Sequence, residues 1–179
     1  MGDTTADRDE EFREFVAARW PRLLRTAYLL CGEQHAAEDL VQSALVRVYV
    51  AWRRVRAADE PDAYVRRVLV NEHARRHRRK LKELLTLSQD HTDGWQTPDR
   101  DRITLADDRE MLRHALAGLP PRQRQAVVLR YWEDLSESQV AVAMGCSVGT
   151  VKSQAAKGLA KLRAALARED VTAGHGEVR

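Results

Sequence analysis

The chain has 179 residues, a net charge of +3, 44 % hydrophobic residues, 32 % charged residues and only 6 % aromatic ones. Nine glycines and five prolines are too few for the turns of an all-β fold, and two distant cysteines exclude a disulfide scaffold or a zinc site of ordinary spacing. The polar, acidic start "MGDTTADRDEEF" lacks a signal-peptide pattern, and no apolar run approaches the roughly 20 residues that span a bilayer; the expectation is a soluble cytoplasmic protein.

Helical periodicity dominates. From Glu10 to Leu30, Phe12, Phe15, Val16, Trp20, Leu23, Leu24, Ala27 and Leu30 recur on one face, with Pro21 expected to kink or divide the helix and Gly32 to end it. A second stripe, Ala37, Leu40, Val41, Ala44, Leu45, Val48 and Trp52, runs from His35 to Val55. Pro61 and Asp62 then read as the first turn of a third helix, which buries Tyr64, Val65, Val68 and Leu69. Beyond Asn71 arginine takes over: Arg75, Arg76, Arg78, Arg79, Lys80 and Lys82 follow one another, with His73 and His77 among them. Two histidines one turn apart lack the third ligand a metal needs, so the run reads as a nucleic-acid surface or a solvated face.

Residues 87–105 show no period and read as a flexible linker between two small helical domains, 8–86 and 106–168; residues 169–179 read as a disordered tail. In the second domain Met111, Leu112, Ala115 and Leu116 mark one helix, and Val127, Val128, Tyr131 and Trp132 the next, entered through "GLPPRQRQ". Ser136 and Gln139 form a capping box. Gly145 suits the left-handed end of that short helix and Ser147 caps another. The last helix buries Val148, Val151, Ala155, Leu159 and Leu162 and presents Gly149, Thr150, Lys152, Ser153, Gln154, Ala156 and Lys157. A helix, a tight turn and a second helix with small polar residues and lysines at its start make a helix-turn-helix. Gly149 and Thr150 let a helix end approach a phosphate, Gln154 can pair with adenine, and Lys152 or Lys157 with guanine or phosphate. The pattern alone also fits an αα-hairpin with a solvated basic face.

"LPPRQRQAVVLRYWEDLSESQVAVAMGCSVGTVKSQAAKGLAKLRAAL" (119–166) resembles the fourth domain of bacterial sigma factors, and "AEDLVQSALVRVYVAW" (37–52) with "AYVRRVLVNEHARRHRR" (63–79) resembles their second. Short length and two domains on a plain linker resemble the extracytoplasmic-function (ECF) group, nearest its actinobacterial SigE-like branch. The resemblance implies an all-α specificity subunit that binds core RNA polymerase and promoter DNA, needs no cofactor or metal, has no catalytic site, and has an anti-sigma protein as a candidate further partner. It implies that Asp39, Leu40, Gln42, Ser43 and Leu45 grip the β′ clamp helices, while the second domain meets the β flap. It assigns the −10 element to Arg54, Arg56, Asp62, Arg67, Asn71, His73, Arg75, Arg76, Arg78 and Arg79. It assigns the −35 element to Ser147, Gly149, Thr150, Lys152, Ser153, Gln154 and Lys157, with Arg122 and Arg124 on phosphates. The chain departs from the family pattern at Gln154, Ala155 and Gly158, the last at a cost of about 0.5–1 kcal/mol relative to alanine. A stand-alone operator-binding regulator and a helical adaptor for acidic proteins are the competing readings; dimerisation and DNA binding without polymerase distinguish the first.

Overall fold

A computed structural model of the chain describes residues 5–87 and 108–173, and among them every element is helical. Helices α1 (Thr5–Cys31), α2 (Gln34–Val50), α3 (Trp52–Arg56) and α4 (Pro61–Leu87) form the first lobe. Helices α5 (Asp108–Ala117), α6 (Pro121–Val127), α7 (Glu137–Met144) and α8 (Val148–Ala173) form the second, and α6 continues into a π-helical turn at Val128–Trp132. Most of the expected linker and the last six tail residues lie outside the described residues; residues 169–173, expected in the tail, belong to α8.

The expected stripes fold together. Leu23, Ala27, Leu40, Val41, Leu45, Val48, Trp52, Val55, Val65 and Leu69 make the core of the first lobe, with Phe12 and Phe15 edge-on to Trp52. Pro21 does not divide α1, which runs through it as one helix. Gly32, at φ +79°, supplies the left-handed residue after α1. In the second lobe Ser136 and Gln139 close their capping box, and Gly145 ends α7 at φ +60°. Ser147 Oγ then accepts the Thr150 amide at 3.1 Å and starts α8.

Three residues of the expected apolar stripes lie outside: Val148, the first residue of α8, is exposed, and Tyr131 and Trp132 are about half exposed in the π turn. Gly158 has a reason the periodicity could not show. A Cβ there would lie 2.7 Å from Val127 Cγ2 and 3.2 Å from the Gln123 carbonyl oxygen, so glycine lets α8 press against α6.

The lobes do not stand apart on a tether. Leu30 of α1 joins the core cluster of Ala115, Leu116, Leu119, Val127, Val128 and Leu162. Val70 of α4 joins that of Ala126, Leu129, Leu135, Val140, Met144 and Val151. Both come from the first lobe, so the first lobe completes the core of the second.

Gly158→Ala tests the close approach of α8 to α6. Helix propensity favours alanine by about 1 kcal/mol, but a β-branched neighbour cannot yield, and overpacking of this kind costs about 1–3 kcal/mol. Urea unfolding should show net destabilisation; a stabilised variant would refute the packing.

Candidate nucleic-acid interface

The last helix carries the first candidate surface. Gly149, Lys152, Ser153 and Lys157 are exposed along α8, and Thr150 and Gln154 half-buried beside them. Ser147 and Thr150 share a hydroxyl–hydroxyl contact of 2.9 Å, so both belong to the cap that fixes the start of the helix. A Cβ at Gly149 would meet only Ser147 Oγ, at 3.9 Å, so no packing demands glycine there. Lys152 Nζ lies 3.6 Å from Glu137 of α7, an exposed pair that a phosphate can replace. Arg122 is exposed at the start of α6.

The second surface runs along α4. Arg67, Asn71, Arg75 and Arg78 are exposed at helical spacing, with Arg79 beside them bonded to Glu83 at 2.9 Å. Arg54 and Arg56 lie on α3, Arg56 reaching Glu11 at 2.7 Å. Asp62 is held by the Arg19 guanidinium, whose carbon lies 3.9 Å from the Phe15 ring centroid. Arg76 turns the other way: it donates to the Asp39 carbonyl and to Ser43 Oγ, each at 2.7 Å, and so joins α4 to α2.

Two residues expected on DNA are instead inside. Arg124 is largely buried and donates to the carbonyls of Leu30 (2.6 Å) and Leu119 (3.1 Å), and to that of Ala117. His73 is buried at the same place. Gln125 Nε2 donates to the Val70 carbonyl (3.2 Å) and lies 2.9 Å from His73 Nδ1. An amide nitrogen only donates, so His73 Nδ1 accepts and its proton sits on Nε2, which bonds the Leu30 carbonyl. Both residues serve the junction between lobes, because the last carbonyls of α1 have no partners within that helix.

The surface expected on α2 needs the same correction. Leu40 and Leu45 are core residues and Ser43 holds Arg76, so these three do not form an outward grip. Asp39, Gln42, Val46 and Val50 of α2 and Arg53 of α3 are among the residues that face out, Val46 at 64 % and Val50 at 83 % exposure. The two valines were missed, although a β-branched apolar residue off the buried stripe was their visible signal.

Burial, reinforced by the charges of Arg124 on α6 and of His77 and Arg76 on its own helix, lowers the His73 pKa to about 4. In an unfolded chain the ring titrates near ~6.5. The folded group is thus depressed: its stabilisation is complete above that value and drains as pH falls toward 4. Protonation would also turn Nδ1 into a donor facing the Gln125 amide. The loss is worth about 3 kcal/mol at most. Urea midpoints of the wild type should therefore fall between pH 6.5 and 4.5 more steeply than those of His73→Gln; parallel curves would refute it.

Comparison with known proteins follows this geometry. Residues 15–83 match the family model "Sigma-70 region 2" and residues 109–162 match "Sigma-70, region 4". The chain is 40 % identical over 164 residues to the "RNA polymerase sigma-E factor" of Streptomyces coelicolor, covering 91 % of this chain and 90 % of that protein. It is 32 % identical over 173 residues to the "ECF RNA polymerase sigma factor SigE" of Mycolicibacterium smegmatis, covering 93 % of this chain and 66 % of that one. The fold is shared with the sigma factor RpoE of Bartonella quintana, solved in complex with the anti-sigma factor NepR, at a TM-score of 0.70 and 23 % identity over 88 % of this chain and 97 % of that one.

Proposed function

The chain belongs to the sigma-70 family of RNA polymerase sigma factors, in its ECF group, and from that membership we propose how its two lobes divide the work of an alternative sigma factor. A protein of this kind binds core RNA polymerase and directs promoter-specific initiation. The first lobe, residues 8–86, takes the −10 element along Arg67, Asn71, Arg75, Arg78 and Arg79, with Arg54 and Arg56 at its edge. Stacking or capture of unstacked bases gives the specificity of such a surface. The second lobe, residues 106–168, lays the start of α8 in the major groove at −35. Thr150, Lys152, Ser153, Gln154 and Lys157 read there, and Arg122 sets register on phosphate. Residues 87–105 connect the two.

The observation that carries this reading is the exposed face of α8: a capped helix start, an unpacked glycine and lysines 152 and 157 aimed outward, on a helix whose other side is buried. Polymerase is gripped by Asp39, Gln42, Val46, Val50 and Arg53, an exposed stripe with an apolar middle. The chain contributes binding and no bond-making, in the cytoplasm; no helix among the described residues is long and apolar enough to cross a membrane. Proposed partners are core polymerase, including its β flap, promoter DNA and, as for RpoE in its complex, an anti-sigma protein.

Run-off transcription with core polymerase on promoter fragments tests the whole. Specific transcripts should appear only when chain and core are both present; none above the core-only level would overturn the reading.

Lys152→Ala and Lys157→Ala should each weaken holoenzyme binding across promoters and reduce the salt slope by about 1, as loss of one phosphate contact does. An unchanged slope would remove these lysines from the interface.

On α2, Val46→Asp should weaken association with core at least tenfold with an unchanged urea midpoint, whereas Leu40→Ala should cost about 2–5 kcal/mol of folding stability. Equal effects on stability would sink the revised grip.

A further inference from the structure

A cavity of about 340 Å³ lies where α1, α4 and the end of the π turn meet. Leu23, Val65 and Leu69, all buried, give it an apolar floor. Around that floor stand three arginines, Arg19 and Arg22 of α1 and Arg66 of α4, together with Asp62 and Glu133. Arg66 belongs neither to the promoter-reading surfaces nor to the polymerase grip.

Both carboxylates are already matched. Glu133 is 6 % exposed, and Arg22 holds it through Nη2 at 2.7 Å and Nε at 3.0 Å, with the Thr26 hydroxyl as a further donor. Asp62 is held by Arg19 Nε, and Arg19 Nη1 donates to the Phe15 carbonyl at 3.4 Å. One terminal nitrogen of each of these arginines stays uncommitted. Arg66 is different again. It is half-buried, and among the described residues it makes no hydrogen bond or ion pair. Glu60 lines a neighbouring cavity with it, without an ion pair between the two. A guanidinium keeps its charge at any ordinary pH, so partial burial without a partner costs free energy that an anion would recover. Three arginines against two carboxylates leave one positive charge around the cavity.

We propose that this cavity is a binding site for a phosphate monoester with a flat apolar body. The lining selects that class. Planar guanidiniums pair bidentately with phosphate oxygens, and a monoester offers three such oxygens with close to two negative charges near neutral pH. Its oxygens can take the whole fork of Arg66 and the spare nitrogens of Arg19 and Arg22. Asp62 and Glu133 hold the surplus near one charge, which suits a single phosphate and disfavours a polyphosphate. The apolar floor receives a body that inorganic phosphate lacks, and the volume falls within the range of small-molecule sites. The site does not rest on the promoter-reading assignment: it stands or falls on binding to the chain alone.

Calorimetric titration of the full chain with phenyl phosphate, inorganic phosphate, benzoate and phenol tests the site. Phenyl phosphate should bind at least tenfold more tightly than each of the other three. Arg66→Gln should weaken it at least tenfold with an unchanged urea midpoint, because no described residue depends on Arg66 for a hydrogen bond or ion pair. Ala18 is exposed on the rim, and Ala18→Trp, which keeps all three arginines, should obstruct the cavity and weaken binding to a similar extent. Arg25→Gln, at an exposed arginine of α1 outside the cavity, should leave the affinity as it is. Inorganic phosphate binding as tightly would deny the floor any part, and benzoate binding as tightly would replace phosphate by a carboxylate; either result overturns the proposal. So does the absence of saturable phenyl phosphate binding, or binding that Arg66→Gln or Ala18→Trp leaves intact. Equal loss in Arg25→Gln would show attraction to the basic surface at large and would overturn it too.

Discussion

The carbonyl end of α1 is the constraint on which the arrangement depends. A helix leaves its last carbonyls without intrahelical partners, and here the chain turns away at once through Gly32, which donates only to Tyr28. Leu30 is fully buried, so its carbonyl needs a protein donor. The second lobe provides Arg124, which also binds the carbonyls of Ala117 and Leu119 and thereby ties the end of α5 and the entry to α6 to the same point. From that anchor follow the neutrality of His73, the seating of Gln125 on Val70 and the placement of the π turn that delivers Glu133 to Arg22. The Glu133 amide reaches back five residues to the Val128 carbonyl, and this wider turn is what ends α6 beside α1.

Much of this was legible in the sequence, and the failures share one cause. Periodicity placed Leu23, Val41, Val48, Val65 and Leu69 in a core because each lobe is amphipathic by itself. Gly145 and Ser147 marked the break because left-handed and capping geometry are local properties. What periodicity could not show was a second buried face. Gln125 to Leu129 are buried in succession, which a helix touching one neighbour never needs. That unbroken run was the available sign that α6 lies between α8 and the other lobe. The resemblance put Arg124 on phosphate and His73 on the −10 element, and only tertiary packing shows both of them inside.

The site residues divide in the same way. The exposed face of α8 could be read because its buried stripe was correct from Val151 onward, and whatever the stripe left over had to face out. On α2 the stripe and the family resemblance disagreed. Leu40 and Leu45 sat on the buried face by spacing and on the polymerase surface by analogy, and the packing sides with spacing. A resemblance carries over which helix acts; the period of that helix decides which of its residues can.

The strength of packing is also divided between the inside of the lobes and their junction. Within the second lobe α8 is pressed onto α6 closely enough to require Gly158, so the recognition helix moves with its lobe as a rigid piece. Across the junction Leu30 and Val70 are buried among second-lobe side chains, Leu29 packs beside them, and the polar contacts of Arg124, Gln125 and Glu133 surround them, so the seam combines apolar burial with bonds that need both lobes in place.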